Sequence, residues 1–427
     1  MLANFLVSNF KSIQDLQQLN LTKTAPSEHE DSNTFEIDNG HTKHQLLNSV
    51  TLYGANASGK SNVVIGLKTM REIVLQSSKS QLGEKLPYDP FRLSKLSRNE
   101  DTEFEVFFFV DGVKFQYGFT YNETRISEEW LFAYPKTKAQ KWFLRAWDSK
   151  NSEYAWEFGR LFTGEKQTWV NSTRENSLFL STAVQLNSKL LAPVYHWFKD
   201  SVQITGVNGW SSAFSTGQCE HSNHKDDILN FLKNADISID DISHTKEEFD
   251  PSLIPDDMPT ELRDMLIDKM NGELIHEVKF LKKDDDGELI DFEVEEESDG
   301  TKRLFNFAGP WLDALKDGLV LVVDELNTNL HPLLVQYLIS FFHSKKTNPN
   351  NAQLVFTTHE TSTLSQEVFR RDQIWFVEKD IKGRSSLYSL SDFKVKKKRD
   401  NLEAKYLSGL YGALPMVSVN EEHDDGE

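Results

Sequence analysis

The sequence predicts an α/β fold whose parallel sheet carries the functional residues, with an antiparallel β-lobe and a helical region inserted into it. Three observations predict this fold. The largely apolar run 46–53 ends at a glycine-rich loop, and apolar residues at helical spacing follow it. The runs 318–323 and 354–356 are continuously apolar, as buried parallel strands are. Residues 104–119 alternate apolar and polar side chains around an Asp-Gly turn, which is typical of an antiparallel hairpin.

Length and composition indicate a globular protein. The 427 residues are enough for one large core with an inserted lobe, or for two domains. No run approaches the roughly 18 to 20 apolar residues that span a bilayer. The single cysteine, Cys219, excludes an intrachain disulfide framework. The first residues lack the basic region and cleavage site of a signal peptide. We therefore expect a cytoplasmic protein without membrane association.

The charge balance limits the possible nucleic-acid contacts. The net charge of −19 argues against a generally basic surface, so nucleic-acid binding would need a local positive patch. The compact candidate is the basic run 394–399. An ordinary solvated surface and a contact with nucleic acid or an acidic partner both stay open for it. Residues 416–427 are mostly polar and end in an acidic run, and we predict that they form a disordered tail.

The glycine-rich loop 54–61 reads G-x-x-x-x-G-K-S and predicts a site for ATP and Mg²⁺. Its glycines let successive N–H groups turn toward phosphates where a Cβ would clash. Lys60 adds a positive charge at the phosphates, and the Ser61 hydroxyl is a metal ligand. The following helix directs its N-terminus to the same place. The residues expected to contact the nucleotide here are Gly54, Asn56, Ala57, Ser58, Gly59, Lys60, Ser61 and Asn62.

Two carboxylates follow the apolar run 319–323. Asp324, at the carboxyl end of a buried parallel strand, is expected to order Mg²⁺ through its water. Glu325 is the next residue, and we expect it to polarise the attacking water as a general base. A helix cap is the alternative interpretation of this pair.

His359 follows a third buried run and the residues Thr357 and Thr358. A histidine here can contact the γ-phosphate and hold the attacking water, and it titrates near physiological pH. A histidine after a strand is often structural, but the order of the three elements favours function. We therefore expect Lys60, Glu325 and His359 to carry catalysis.

A Ser-x-Gly turn at residues 298–301 precedes a predicted helix, 301–315. The free N–H groups at Ser298, Gly300 and Thr301 can take the γ-phosphate of a second nucleotide. A simple helix cap by Ser298 or Asp299 remains the alternative.

The order of these four elements resembles the ABC-type ATPases that include SMC, RecF and the OLD proteins. Residues 9–13, Asn-Phe-Lys-Ser-Ile, are similar to the short N-F-[KR]-[ST] start of those proteins, and Lys11 is counted with the nucleotide-binding residues. The segments 324–332, 371–379 and 406–415 resemble the RloA/AbiL-type ATPases of bacterial abortive-infection loci.

The resemblance implies a homodimer or higher homo-oligomer that forms on ATP. Lys60, Asp324 and Glu325 of one protomer would face Ser298 and Gly300 of the other across the nucleotide. The resemblance also implies a regulatory role in phage defence. An effector protein encoded nearby would be the partner, and nucleic acid or a phage component would be the trigger.

Three departures from the family pattern stand out. Asn327 occupies a position where relatives often carry aspartate. The signature turn lacks the second glycine of transporter ABC proteins. No Q-loop glutamine is evident, and residues 90–91, Pro-Phe, mark a candidate for that region.

Several other functions weigh less. A DNA-maintenance ATPase like RecF, acting directly on DNA, is the main alternative. A P-loop kinase would have an acceptor pocket and no dimer. A Toprim nuclease, found in some OLD proteins, needs more chain than follows His359, and the Asp-rich run 284–286 reads as a solvated turn. The residues 219–224 are too crowded for a tetrahedral zinc site.

We predict five segments along the chain. Residues 1–77 form the N-terminal part of the ATPase head, and residues 78–160 form the inserted β-lobe. Residues 161–297 form a mainly helical insertion with a return hairpin. Residues 298–415 complete the head, and residues 416–427 are the tail.

Overall fold

The apolar runs predicted as buried strands form one mostly parallel, six-stranded sheet. The structure is a computed structural model that describes residues 1–254, 258–270, 274–396 and 399–415. The strand order in this sheet is Val202–Thr205, Val320–Val323, Gln353–Thr357, Ser49–Tyr53, Ile374–Lys379 and Ser385–Ser389. The first five strands pair in parallel, and Ser385–Ser389 returns antiparallel to its neighbour. The fold class is α/β, as predicted.

The strand order explains why distant motifs meet. Gln353–Thr357 lies between the P-loop strand, Ser49–Tyr53, and the Asp-Glu strand, Val320–Val323. Parallel strands end at the same edge of a sheet. The glycine-rich loop, the Asp-Glu pair and the residues after Thr357 therefore emerge side by side.

The predicted antiparallel strands form a second sheet of seven strands. Its order is Glu153–Phe158, Gln140–Asp148, Ile126–Tyr134, Val113–Tyr121, Thr102–Val110, Leu2–Ser8 and Gln17–Asn20. The predicted Asp-Gly hairpin turn is confirmed, since Val110 pairs with Val113. Both turn residues have positive φ, 48° at Asp111 and 75° at Gly112. This is the geometry that a two-residue type I′ turn requires.

The P-loop helix, Lys60–Gln76, packs its apolar residues into a core shared with both sheets. A Cβ added at Gly66 would stand 3.4 Å from the Phe5 ring and 3.5 Å from the Phe104 ring. Close packing against these buried aromatic rings fixes the helix and hence the loop at its N-terminus.

Shorter elements complete this part of the chain. A two-stranded hairpin joins Thr34–Asp38 to Lys43–Leu47. The remaining α-helices here are Glu30–Asn33, Lys166–Ser172, Phe179–Gln185, Ala192–His196, Pro332–Phe342 and Leu402–Leu407.

The chain divides into two units. The first comprises Met1–Val207, Leu315–Thr328 and the described residues from Val335 onward. The second comprises Asn208–Ala314 and Asn329–Leu334. The strands within 78–160 continue the sheet begun by Leu2–Ser8 and belong to the first unit. The unit boundary near 207 falls inside the segment predicted as one insertion.

The second unit contains a three-stranded antiparallel sheet and four helices among its described residues. The helices are Ser212–Gln218, Ser222–Asn234, Thr260–Met270 and Asp299–Asp317, the last of which continues into the first unit. The sheet has the order Asp241–Glu248, Leu274–Lys283 and Leu289–Glu293. The last two strands confirm the predicted return hairpin.

The prediction of a mainly helical segment over 161–297 is wrong for two stretches outside the return hairpin. Val202–Thr205 is a strand of the six-stranded sheet, and Asp241–Glu248 is a strand of the second unit. Half of the residues in Asp241–Glu248 are exposed and all but one are polar, so no apolar alternation signals the strand.

Two further predictions concern residues that lie outside the described ranges and the crossing of a membrane. The predicted disordered tail, 416–427, and the lysines 397 and 398 of the basic run lie outside the described residues. No helix in the described ranges has the length and apolar character needed to cross a bilayer.

Candidate functional site

The glycine-rich loop is held in shape by contacts that only glycine permits. A Cβ at Gly54 would collide with the carbonyl oxygen of Val377 on the neighbouring strand. Gly59 has a φ of 109°, and a Cβ there would collide with Ser385 Oγ and stand 2.8 Å from Ser12 Oγ. The loop can therefore lie flat against its neighbours and turn its N–H groups outward.

The loop has the open donors that a phosphate chain needs. Within the described chain, the N–H groups of Gly59, Lys60 and Ser61 donate to no backbone carbonyl. They stand at the N-terminus of a 17-residue helix, where anions bind favourably. A cavity of about 560 Å³ opens in front of them, lined by Asn56, Ala57, Ser58, Gly59, Lys60, Ser61, Asn62, Glu325, His359 and Lys379. These residues fit a nucleotide phosphate chain.

Lys60 is buried and turned onto the loop. Its Nζ donates to the carbonyl oxygens of Gly54 at 2.8 Å and Ala55 at 3.0 Å. Burial lowers the pKa of Lys60 to about 8, while Glu325 and Asp324 act in the opposite direction. A lysine that loses this much hydration gains strongly from an anionic ligand.

Asp324 and Ser61, the two residues predicted to hold a metal ion, are in contact. Ser61 Oγ donates to Asp324 Oδ1 at 3.1 Å, and Thr357 Oγ1 donates to the same oxygen at 2.6 Å. Asp324 is only 4% exposed. A hydroxyl beside a buried carboxylate, both next to a phosphate loop, is a ligand set that suits Mg²⁺.

Glu325 is held in an unusual backbone conformation. Its φ is 53°, and its N–H donates to Thr357 Oγ1 at 2.8 Å. Strained backbone of this kind clusters at functional sites. The conformation leaves the Glu325 carboxylate half-exposed in the cavity wall, with Oε1 3.4 Å from His359 Nε2. The helix-cap interpretation of the Asp-Glu pair therefore fails, because both carboxylates face the site.

His359 lies between the lysine and the glutamate. Its Nδ1 is 3.4 Å from Lys60 Nζ, and its Nε2 faces Glu325. Burial lowers the pKa of His359, and the Lys60 charge lowers it further. The neutral imidazole that results accepts from Lys60 at Nδ1 and directs an Nε2–H toward Glu325. These contacts bring together the three residues predicted to be catalytic.

Asn327 bridges the loop that carries Glu325 and the loop that carries His359, a contact that the sequence did not reveal. Its Oδ1 accepts from Thr358 Oγ1 at 2.9 Å and from the N–H of His359 at 3.3 Å. The Asn327 side chain therefore fixes the start of the His359 loop to the loop after the Asp-Glu strand. No motif predicts such a contact, since it depends on the adjacency of two strands.

Lys11 lies in an adjoining cavity of about 570 Å³ that shares Asn62 and Lys379 with the phosphate cavity. Its Nζ pairs with Asp89 Oδ2 at 2.7 Å. Asn62 Nδ2 donates to Ser12 Oγ at 2.6 Å, which ties the N-terminal motif to the P-loop helix.

The candidate Q-loop region at 90–91 packs elsewhere. The N–H of Phe91 donates to Asn9 Oδ1 at 3.1 Å, so this segment supports the N-terminal motif. On the side away from Gln353–Thr357, the Asp-Glu strand is bordered by Val202–Thr205, and the Thr205 carbonyl accepts from the N–H of Asp324 at 3.2 Å. The segment that leaves the sheet beside Asp324 is therefore the one after Thr205.

The signature residues Ser298, Gly300 and Thr301 belong to the second unit and are not part of this group. Ser298 Oγ accepts from the N–H of Thr301 at 3.2 Å, which is an N-cap of the helix Asp299–Asp317. The capping interpretation is therefore observed, and Ser298 itself remains exposed.

Two further residues of the site carried no sequence signal. Thr357 accepts from the N–H of Glu325 and donates to Asp324, so one hydroxyl holds the Asp324 carboxylate and the Glu325 backbone. Lys379 lines the phosphate cavity from the strand on the other side of the P-loop. A polar residue at the end of each strand beside the P-loop is the signal that could have found them.

Comparison with known families identifies one match. The family described as "AAA domain, putative AbiEii toxin, Type IV TA system" matches residues 49–365, more than half of the chain. The match covers the P-loop, the Asp-Glu pair and His359. No curated protein matches the sequence significantly.

Solved structures show distant likenesses over most of the chain. The SMC head domain from Thermotoga maritima has 10% identity and a TM-score of 0.40, covering 92% of this chain and 99% of that one. The recombination mediator RecF with ATP has 13% identity and a TM-score of 0.36, covering 91% and 99%. No conclusion about this chain rests on likenesses of this size.

Proposed function

Because the chain belongs to this AAA-domain family, we propose that it is an ABC-type ATPase that binds ATP with Mg²⁺ at the P-loop and hydrolyses it. One observation carries the proposal. His359 contacts both Lys60 and Glu325 at the edge of the sheet where Asp324 meets Ser61. A phosphate cradle, a metal-ligand pair and a carboxylate base are the parts that phosphoryl transfer to water needs.

Each residue has a separate task in the proposed reaction. The N–H groups of the loop and Lys60 bind the phosphate chain and spread its charge. The Glu325 carboxylate orients a water molecule and accepts its proton as the water attacks. His359, neutral and donating from Nε2, holds Glu325 or the γ-phosphate in line. Ser61 and Asp324 would hold Mg²⁺, which supplies charge neutralisation at the phosphates.

Phosphate release from ATP by the purified chain tests the activity. We expect release that requires Mg²⁺ and that Lys60→Ala reduces at least ~100-fold, as loss of a main phosphate contact should. Lys68→Ala, on the exposed side of the same helix, is the matched control and should keep the wild-type rate. An inactive wild-type chain, or a Lys60→Ala variant as active as Lys68→Ala, would contradict the proposal.

We propose further that ATP closes two copies of the chain. The signature turn of one copy would meet the nucleotide held by the other, with Ser298 and Gly300 facing the γ-phosphate. The exposed position of Ser298 at a helix N-terminus supports this, since such a position keeps N–H groups available to an anion.

The finer role we propose is regulation in phage defence. The description of the family names a type IV toxin–antitoxin system and an abortive-infection toxin, which supports a defence role. The chain would sense nucleic acid or a phage component and control an effector protein encoded nearby. In cells, we expect phage plating to fall only when the chain and its neighbouring gene are both present. Equal protection by Lys60→Ala would contradict an ATP-dependent role.

A DNA-maintenance ATPase that acts directly on DNA is the second candidate, and the basic run 394–399 favours it. Binding of duplex DNA that weakens steeply with salt would support it. Neutralising residues 396–399 should then abolish that binding. Co-purification with the neighbouring gene product, dependent on ATP, would favour the regulatory role instead.

A further inference from the structure

Lys379 is carried to the phosphate site by the sheet itself. It ends the strand Ile374–Lys379, which pairs in parallel with the P-loop strand so that Phe376 lies opposite Tyr53. Lys379 lies three residues beyond this pair, at the edge of the sheet where the P-loop leaves its strand. Lys379 lines both the phosphate cavity and the adjoining cavity that contains Lys11.

The backbone around Lys379 is firmly attached to the loop. Lys379 pairs with Ser385 in the returning hairpin. Ser385 Oγ donates to the carbonyl oxygen of Ser58 at 2.6 Å, and its N–H donates to that of Ser12 at 2.7 Å. The preceding residue, Glu378, accepts from the N–H of Ala413 at 3.2 Å. Lys379 therefore extends from a rigid support, which is what a binding group requires.

The Lys379 side chain has no acidic partner among the described residues, in contrast to the other lysine nearby. Lys11 is paired with Asp89 at 2.7 Å. Lys379 is exposed at the cavity wall, where nothing in the described part of the chain accepts from its ammonium group. An ammonium on a rigid strand end at the mouth of an anion site is placed for a ligand.

Lys379 and the two carboxylates lie on opposite sides of the P-loop. Asp324 and Glu325 follow a strand on one side of the P-loop strand, and Lys379 ends the neighbouring strand on the other side. A nucleoside triphosphate carries more negative charge than Lys60 and one Mg²⁺ ion offset, and Lys379 offers a further positive charge from the side opposite the carboxylates.

We propose that Lys379 binds the phosphate chain of the nucleoside triphosphate as a second cation beside Lys60. This inference rests on the proposed ATPase function. It assigns to the hairpin 374–389 a direct role in nucleotide affinity, in addition to its support of the loop. The contact is made in the ground state, so affinity should change more than the rate of the chemical step.

The test is equilibrium binding of a fluorescent ATP analogue with Mg²⁺ at several KCl concentrations. We expect Lys379→Gln to weaken binding about 10-fold, the effect of one charge-assisted hydrogen bond. Its affinity should also depend less steeply on salt, because one ionic contact is lost. Lys379→Arg should recover most of the affinity. Lys382→Gln, which makes the same charge change in the turn of the same hairpin, is the matched control and should bind like the wild type.

The outcomes separate this inference from the proposed function. A wild-type chain that does not bind the analogue would overturn both. Binding that requires Lys60 but is equally strong and equally salt-dependent in Lys379→Gln and Lys382→Gln would overturn the role of Lys379 alone. Thermal unfolding at the wild-type temperature in Lys379→Gln would show that weaker binding is not a folding defect.

Discussion

The P-loop site and the signature turn differ in how their polar groups are satisfied. Around the P-loop, Asp324, Glu325 and His359 contact one another or Lys60 and Ser61 across separate strands. At the signature turn, Ser298 satisfies its own helix by capping Thr301 and remains exposed. The residues predicted to be catalytic thus come together within a single chain. The signature turn, in contrast, is a capped helix N-terminus that remains exposed.

The comparison teaches what each region depends on. The P-loop site is fixed by the order of parallel strands, so its residues are placed whenever the sheet folds. The signature turn needs a second molecule to have any role beyond capping. Substitutions in the P-loop site and in the signature turn should therefore have distinguishable effects.

The largest expected effect comes from replacing Glu325, the proposed general base of the P-loop site. Glu325→Gln keeps the shape of the side chain but removes proton acceptance, so ATP binding should persist while hydrolysis slows at least ~100-fold. Single-turnover phosphate release and nucleotide binding, measured side by side, check it. Turnover at the wild-type rate would show that Glu325 is not the base.

The signature turn can be tested without disturbing its cap. Aspartate caps helices about as well as serine, so Ser298→Asp should keep the unfolding temperature. Its charge would repel a γ-phosphate from a second molecule, and steady-state hydrolysis should fall at least ~30-fold through the loss of that contact. If Ser298→Asp hydrolyses ATP at the wild-type rate, capping the helix is the only role of the turn.

Ser298→Ala is the complementary variant. It removes the cap, which should cost about 1 kcal/mol of stability, and it places no charge at the turn. Comparing the two variants by thermal unfolding and hydrolysis assigns each effect to the cap or to the nucleotide.

The bridge at Asn327 should show a smaller effect. Asn327→Ala removes the acceptor for Thr358 and His359, and we expect hydrolysis to fall ~10-fold as His359 loses its fixed position. Asn327→Asp keeps an acceptor but adds a negative charge that raises the pKa of His359. The acid limb of its pH–rate profile should therefore move to higher pH. An unchanged profile together with wild-type activity in both variants would contradict the bridging role.

The smallest expected effect concerns the pH dependence of ATP binding. Burial lowers the pKa of Lys60 to about 8, and the lysine must be protonated to bind phosphate well. Affinity should be constant below that pH and fall as pH rises through it, by roughly 4-fold half a unit above. Binding titrations from pH 7 to 8.5 measure this, and constant affinity over that range would contradict it.

The sequence predicted the parts of the site that short motifs encode. Each of these motifs, the P-loop, the Asp-Glu pair and His359, follows an apolar strand. A few neighbouring residues are enough to indicate the chemistry of each. The contacts among them depend on Gln353–Thr357 lying between the other two strands, which no local pattern encodes. The double role of Thr357 and the bridge at Asn327 follow from that strand order.

The parts that sequence did not predict share a physical cause. Lys379 belongs to no motif, and only the pairing of its strand with the P-loop strand gives it a place in the site. The strand Asp241–Glu248 shows no apolar alternation because all but one of its residues are polar and half are exposed. The β-strands within 78–160 were recognised, but their pairing with Leu2–Ser8 is a long-range contact invisible to periodicity.

The central claim is that the signature turn of one copy completes the ATP site at the P-loop of another copy. Light scattering on Glu325→Gln with ATP and Mg²⁺, compared with ADP, measures it most directly. We predict a doubled mass with ATP, a single-chain mass with ADP, and no doubling when Ser298→Asp is added. A single-chain mass with bound ATP, in a protein whose wild type hydrolyses ATP, would contradict the claim.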